Sequence, residues 1–305
     1  MKKIIFCSCL FLLSTCVLIA CGSDDSSSET PSPGNKNNTP GLFQINAGGT
    51  KVCFAPGNLQ ATYNGSTWNW AFATNQWDYI NGIATYRNDN GTVSLAGTVD
   101  LFGWVGETST WMGAAQYGIS IANAVNSRYT YGNIASEALK SDWGNTISDG
   151  YKWRTLSFSE WTYVFNTRNS GSTVNGTSNA RYTYATINTD NNAVKGIILF
   201  PDDITVEGSA AASWGKINYI SQVTECTSAQ WSNLAAKGCV FLPAAGYRFE
   251  TTIKGYNSGF YWSSSSNTTD ASSAYVVRFD SSDLNPAANI SRPAGCSVRL
   301  VREVK

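Results

Sequence analysis

The carboxylates of Glu160, Asp202 and Asp203 are the residues of this chain closest to an acid–base set. Paired carboxylates could protonate a leaving group and activate water, as in glycoside hydrolysis. Their surroundings favour other roles. Glu160 closes Ser157-Phe158-Ser159-Glu160, the spacing of a helix capping box. Asp202 and Asp203 follow Pro201, where a turn is expected. The chain has no histidine, which removes the usual general base, the Ser–His and Cys–His pairs and the commonest zinc ligand. No catalytic residue and no cofactor is therefore expected.

Thiols are the second reactive class. There are 8 cysteines in the sequence, of which Cys7, Cys9 and Cys16 precede Cys21. Cys53, Cys226, Cys239 and Cys296 lie in the body of the chain. In an exported protein four thiols allow two disulfides. Cys226 begins a predicted helix and Cys239 begins the strand after it, so Cys226–Cys239 is one candidate bridge. Cys53–Cys296 would then join two strands, and four separate buried thiols is the alternative. None has a histidine or a metal-spaced cysteine beside it. No metal site is expected, since Asp280-Ser281-Ser282-Asp283 alone offers too few convergent oxygens for calcium.

What remains is recognition chemistry. Between Phe241 and Val301, apolar blocks alternate with Ser, Asn, Tyr, Thr and Asp. Tyrosine supplies rigid amphipathic contact area, and Ser and Asn supply adaptable hydrogen bonds. The candidate ligand-binding residues are Tyr256, Asn257, Ser258, Tyr261, Ser265, Asn267, Tyr275, Asp280, Ser281, Asn285, Asn289 and Arg292. Their expected frame is Phe241–Arg248, Trp262, Ala274–Phe279 and Ser297–Val301.

The composition suits that reading. Charged residues make up 14% of the 305 residues and aromatics 13%, with 11 Trp, against roughly 25% charged in ordinary domains. The surface must be built from Asn, Ser, Thr, Gly and Tyr. The formal net charge is +0. No basic excess exists to hold a polyanion, so nucleic acid is not an expected partner.

The N-terminus reads as an address. Met1-Lys2-Lys3 is a positive start, and Ile4–Ala20 is an apolar run too short and wrongly flanked for a spanning helix. It ends Leu18-Ile19-Ala20-Cys21-Gly22, which resembles a bacterial lipobox. Residues 1–20 are expected to be a lipoprotein signal peptide and Cys21 the lipidated residue, anchoring by acyl chains alone. Residues 22–42 are poor in apolar side chains and form an expected flexible tether. Asp24 and Asp25 resemble the acidic export signal of Bacteroidetes surface lipoproteins. That implies the outer face of the outer membrane.

Residues 43–305 form the expected globular domain, with the display region at 241–301. Two helices are predicted. The first follows the Ser157–Glu160 box, with Trp161, Val164 and Phe165 on one face and Arg168 near its C-terminal dipole. The second follows Thr227-Ser228-Ala229-Gln230, with Trp231 and Leu234 inward and Gly238 as its stop. Strands are predicted at Phe43–Phe54, Trp68–Asp78, Lys195–Pro201, Val240–Leu242, Phe260–Trp262, Ala274–Phe279 and Ser297–Arg302. Ala114–Gly144 reads as a polar insertion. The fold class is α+β, helices packed on a twisted antiparallel sheet with long loops.

Several blocks then align with one family. KVCFAPGNLQ (Lys51–Gln60), NQWD (Asn75–Asp78), DLFGW (Asp100–Trp104), WRTLSFSEWTYVFNTR (Trp153–Arg168), GCVFLPAAGYR (Gly238–Arg248), YWSS (Tyr261–Ser264) and GCSVRLV (Gly295–Val301) resemble Bacteroidetes surface lipoproteins. Their C-terminal part resembles the Fibrobacter succinogenes major paralogous domain. The resemblance implies a C-type lectin-like fold, related to formylglycine-generating-enzyme-like domains, carrying a long-loop binding face for a protein or glycan. Some relatives are rewritten by diversity-generating retroelements at adenine-bearing codons, and Tyr256–Arg292 has the matching composition. The lectin calcium loop is missing here: Leu284-Asn285-Pro286-Ala287 lacks its acidic ligand. The reactive cysteine pair of the formylglycine-generating enzymes has no matching motif either. The leading expectation is a non-catalytic, surface-anchored binding module. The alternatives are an adhesin or pilus-associated subunit, or a glycan-processing accessory enzyme.

Overall fold

A computed structural model describes residues 40–63, 68–80, 97–104, 142–190, 192–249, 252–270, 272–292 and 294–304. The expected signal peptide, Cys21, the expected tether up to residue 39 and positions 114–141 of the expected insertion lie outside the described residues.

The chain enters through β1 (Phe43–Gln44) and β2 (Lys51–Phe54), followed by β3 (Leu59–Tyr63), β4 (Trp68–Phe72), β5 (Gly97–Val99) and β6 (Phe102–Gly103). Next come β7 (Trp153–Thr155), the first helix (Phe158–Thr162), β8 (Thr173–Val174) and β9 (Thr177–Ser178). The middle holds β10 (Tyr182–Asn188), β11 (Ala193–Leu199), β12 (Thr205–Val206), β13 (Thr224–Thr227) and the second helix (Ser228–Ala236). Then follow β14 (Val240–Pro243), β15 (Tyr247–Phe249), β16 (Thr252–Lys254), β17 (Gly259–Ser266), β18 (Ser273–Phe279), β19 (Leu284–Ser291), β20 (Gly295–Cys296) and β21 (Leu300–Glu303).

The architecture is mostly strand with two short helices, broadly α+β or mainly β. Instead of one antiparallel sheet, the described strands form six small sheets. β10–β13 and β8–β12 are parallel pairs. The first and last parts of the domain are joined, because β2 pairs with β21, which also pairs with β7.

Both helices start as their sequences predict. Ser157 accepts from the Glu160 amide while Glu160 accepts from the Ser157 amide, and Thr227 and Gln230 repeat the exchange. Trp161 and Trp231 are buried anchors beneath them. Gly238, at φ 83°, ends the second helix in the left-handed region that glycine adopts without a Cβ penalty. The first helix departs from expectation after Thr162, widening to a π turn over Tyr163–Thr167. Arg168 follows this turn, and its Nε donates to the Val164 carbonyl at 3.4 Å. Its guanidinium is buried, donates to the Phe200 carbonyl at 2.8 Å and pairs with Asp202 at 2.8 Å.

The meander β17–β18–β19 contributes to two core clusters. Tyr261 lies opposite Val277, and Trp262 opposite Val276. Alternation sends these pairs to opposite faces. Trp262, Ala274 and Val276 pack with Trp104, Trp143 and Leu300. Tyr261, Val277 and Phe279 pack with Trp161, Phe165, Tyr184 and Leu242. Each fully buried large apolar side chain contributes about 1.5–3 kcal/mol, so burial on both faces makes this meander the rigid part of the domain. A third cluster under the second helix joins Trp231, Leu234, Ile198 and Phe241.

Among the strands not predicted from sequence, two are long. β10 reads YTYATIN, rich in the aromatic and β-branched residues that suit strands. β19 contains Pro286 and two Asn, and its ends were expected to be loops. The structure makes it an edge strand with a bulge: Val276 faces Ala288 and Arg278 faces Asn285, leaving Pro286 and Ala287 opposite Val277. A proline lacks the ladder donor, and an edge bulge is where that loss is tolerated.

Candidate functional site

The meander has two ends, and the sequence-predicted binding residues divide between them. Tyr256, Asn257, Ser258, Asp280, Ser281 and Asn285 gather at the end where Gly259 faces Phe279. Ser265, Asn267, Tyr275, Asn289 and Arg292 gather at the other end, where Ser273 faces Ser291. Six residue steps of β18 separate them, about 20 Å.

At the first end two turns project. The turn Gly255–Ser258 closes with the Ser258 amide on the Gly255 carbonyl at 2.9 Å. Gly255 has φ 67° and Asn257 φ 64°, the left-handed region that Gly and Asn tolerate. Gly259 must be small, because a Cβ there would run into the Phe279 ring. Tyr256, at the tip, is 69% exposed. The second turn is locked by Asp280, whose Oδ1 accepts from the Ser282 amide at 2.7 Å, the Ser282 hydroxyl at 2.6 Å and the Asp283 amide at 3.0 Å. These bonds, the Ser282 hydroxyl first, hold the Asp280 carboxyl below its ordinary pKa. Arg278 pairs with Asp283 across the turn. Ser281, Ser282, Asp283 and Asn285 remain exposed.

The first turn meets β10. The Tyr184 hydroxyl donates to the Asn257 carbonyl at 3.2 Å. Burial first, and the Asp280 charge second, push the Tyr184 phenol up to about 12. Two residues earlier on the same strand face, the Tyr182 hydroxyl donates to the Asn218 carbonyl at 3.2 Å. Asn218 sits at φ 57° and is followed by Tyr219, 44% exposed, whose ring carries the Lys216 ammonium at 4.5 Å. Among the described residues Tyr219 and Tyr256 are the two exposed aromatics. The sequence reading missed Tyr219. Its available signal was Asn218-Tyr219, a turn-former beside an aromatic.

The other end is frame rather than display. Asn267 is buried, donating to the Ser273 hydroxyl at 3.0 Å and accepting from the Thr269 amide at 2.9 Å. Arg292 is buried too. Its Nε donates to the Ser273 carbonyl at 3.1 Å, and its guanidinium lies 4.6 Å from the Trp104 ring centroid. Tyr275 stacks on Phe158 at 4.4 Å, and the Ser265 hydroxyl accepts from the Phe158 amide at 3.2 Å, satisfying a donor of the first helical turn. Asn289 alone of this group is exposed.

Tyr261 is likewise not a contact residue. It is wholly buried, stacks 6.0 Å from Phe279 and donates to the Pro243 carbonyl at 2.8 Å. Asn58 donates to the same hydroxyl at 3.2 Å. Burial raises this phenol well above its ordinary pKa.

Neither expected disulfide is formed. Cys226 lies on β13 and Cys239 leads into β14, and these strands are opposite edges of the sheet β13–β10–β11–β14. The short sequence interval concealed a crossover by the second helix. Cys53 on β2 and Cys296 on β20 belong to different sheets. Burial raises the thiol of Cys226 to about 12, and lifts those of Cys239 and Cys296 well above their ordinary value.

Glu160 and Asp202 are committed to structure, while Asp203 is exposed, with Lys51 at 3.6 Å. Glu160 receives two bonds from Arg154, at 2.8 and 2.9 Å, besides closing the capping box. Asp202 accepts from Arg168 and from the Gln44 amide at 2.8 Å, with Lys51 at 3.5 Å. Among the described residues no three His, Cys, Asp or Glu side chains converge as metal ligands would, and no helix is long and apolar enough to cross a membrane.

The chain matches no protein-family profile, no curated protein and no solved structure.

Proposed function

We propose that this chain is a lipid-anchored protein of the outer cell surface that binds a protein or glycan ligand without catalysis. The binding face is the end of the meander formed by Gly255–Ser258 and Asp280–Asn285. The observation that carries this reading is a contrast of rigidity and exposure. A meander buried on both faces ends in two polar turns whose own side chains lock them, while Tyr256 stands 69% exposed between them and solvent. A preorganised aromatic contact loses little entropy on binding.

The finer fold proposal, a C-type lectin-like domain, rests on the sequence resemblance. Its support is that the resembling blocks meet in space. Arg299 of GCSVRLV donates to Ala55 and Asn58 of KVCFAPGNLQ, to Gln76 of NQWD and to Phe241 of GCVFLPAAGYR. The Trp262 amide of YWSS bonds the Ser297 carbonyl at 3.0 Å.

The binding face is tested by applying the mature protein to arrays of purified surface proteins and of glycans. Tyr256→Ala and Asn257→Ala are expected to abolish the wild-type signals, and Asn289→Ala, at the far end, to leave them intact. Signals that survive the first two changes, or vanish only with the third, would sink this placement. The anchor is tested by labelling cells with an alkynyl fatty acid: Cys21→Ser should lose both the label and retention in the membrane fraction.

A further inference from the structure

The first strand of the domain is short. β1 lies at the edge of its sheet and pairs Phe43 with Val52 and Gln44 with Lys51. A ladder of two residues is marginal by itself. Asp202 supplies what the ladder lacks. Its Oδ2 accepts from the Gln44 amide at 2.8 Å, and its own amide donates to the Leu42 carbonyl at 2.8 Å. Its Oδ1 meets the Arg168 guanidinium at 2.8 Å, and that guanidinium lies 5.0 Å from the Phe43 ring centroid. We propose that the buried Arg168–Asp202 pair is a latch that fastens this strand, so that a pull on the chain before residue 40 is carried into the core. This rests on the reading of Cys21 as an anchor, because a domain held at one end and bound at the other is loaded in series.

The physical basis is that three segments of the chain meet at Asp202. Arg168 is fixed by the Phe200 carbonyl at 2.8 Å and covers the Phe43 ring, which Phe54 meets edge-on at 4.9 Å. Phe43 is wholly buried between them. Lys51, opposite Gln44 on β2, places its ammonium 3.5 Å from the same Asp202 carboxylate. The Gln44 side chain donates to the Tyr163 hydroxyl at 2.8 Å, at the π turn. Just ahead of the strand, Gly41 lies against the stop of the second helix. A Cβ there would run into the Gly238 carbonyl and Pro201. Withdrawing β1 empties the Phe43 site and uncovers the ion pair, so a cavity and a disturbed buried charge both oppose it.

The latch is tested by optical tweezers on the unlipidated mature chain, with handles on Cys21 and on Tyr256→Cys. Wild type is expected to unfold without an early step. Asp202→Asn keeps an acceptor for the Gln44 amide but leaves the Arg168 charge without its carboxylate. It should add an early extension of about 30 Å, the length of residues 42–50 once freed, at clearly lower force than the main event. Where the stranded charge prevents folding, Gly41→Ala displaces the entry segment without removing a charge, and should show the same step. Pulling between Tyr219→Cys and Asn289→Cys, in a Cys21→Ser background, bypasses β1, and neither change should add a step there. An early step in wild type, no early step in either variant, or equal weakening along both pulling directions would overturn the latch. The fatty-acid label decides the anchor separately. An unlabelled Cys21 would remove the anchor reading, while the force traces still decide the latch.

Discussion

The guanidinium of Arg299 donates to the Phe241 carbonyl at 2.7 Å, inside a core that excludes water. Its other donors reach Asn58 at 2.9 Å and the Ala55 carbonyl at 3.0 Å. Burial lowers its pKa to about 10. One cation thus joins segments that are far apart in sequence. Arg299→Lys keeps a charge but loses the planar fork, and an ammonium cannot satisfy all three acceptors. The expected cost is about 2–4 kcal/mol, from lost charge-assisted bonds and stranded carbonyls. Each kcal/mol lowers Tm by roughly 2–4 °C in a domain of this size. A melting curve within a degree of wild type would show that these bonds contribute little.

Asn58 carries the tie onward to Tyr261, whose hydroxyl reaches Pro243. Tyr261→Phe keeps the ring and leaves the Pro243 carbonyl and the Asn58 amide short of a partner. A loss of about 1–3 kcal/mol is expected in urea unfolding. Ligand binding measured on the folded variant should be unchanged. A binding defect with full stability would restore Tyr261 to the contact surface.

The contrast between Tyr261 and Tyr256 shows what sequence could tell. Local chemistry was legible: Ser157 with Glu160, and Thr227 with Gln230, specify caps from spacing alone. The strands around Trp262 and Val276 were legible from apolar content. The side on which a polar residue ends was not. Asn267 and Arg292 have surface-type chemistry, yet each satisfies buried partners contributed by Ser273. Their burial depends on pairings set by the whole sheet. β19 was hidden because Pro286 argues against a strand unless the strand is an edge with a bulge. Tyr219 was missed because its exposure depends on how the Asn218 turn seats against Tyr182 of β10.

Alkali should weaken the fold in a defined window. Tyr184 has a folded pKa of about 12 against 10.0 for an ordinary tyrosine phenol, and Cys226 about 12 against 9.0 for an ordinary thiol. Both groups are neutral when protonated, so above pH 9–10 the unfolded chain releases protons that the folded chain retains. The stabilisation is complete below the unfolded pKa and is lost as pH rises toward 12. For Tyr184 the loss amounts to about 2–3 kcal/mol at most. Urea midpoints at pH 8, 10 and 11 should fall progressively, and Tyr184→Phe should flatten the part above pH 10. A flat profile would contradict the burial of these groups.

Cys226 and Cys239 share one apolar cluster without forming a bond. Neither should react with iodoacetamide in native protein at pH 8, and both should be alkylated after unfolding in urea without reductant. Dithiothreitol should not move Tm. A mass 2 Da low that is recovered only by reductant would establish a bridge instead.

Retroelement diversification makes a prediction that the two ends of the meander sharpen. Rewriting is tolerated where a side chain meets solvent and is costly where it fills a core or satisfies a buried carbonyl. Tyr256, Asn257, Ser281, Asn285 and Asn289 are exposed. Tyr261, Asn267 and Arg292 are buried and hydrogen-bonded. If the locus carries a reverse transcriptase gene and a near-copy of the Tyr256–Val301 coding segment, their differences should lie at adenines in codons of the exposed set. Codons for the buried set should be identical in both copies. Sequencing the neighbouring DNA decides this directly. Without a near-copy there is no diversification. A near-copy that differs equally at Tyr261, Asn267 and Arg292 would mean that this fold tolerates replacement of its own frame, which the bonds of Tyr261 to Pro243 and of Arg292 to Ser273 argue against.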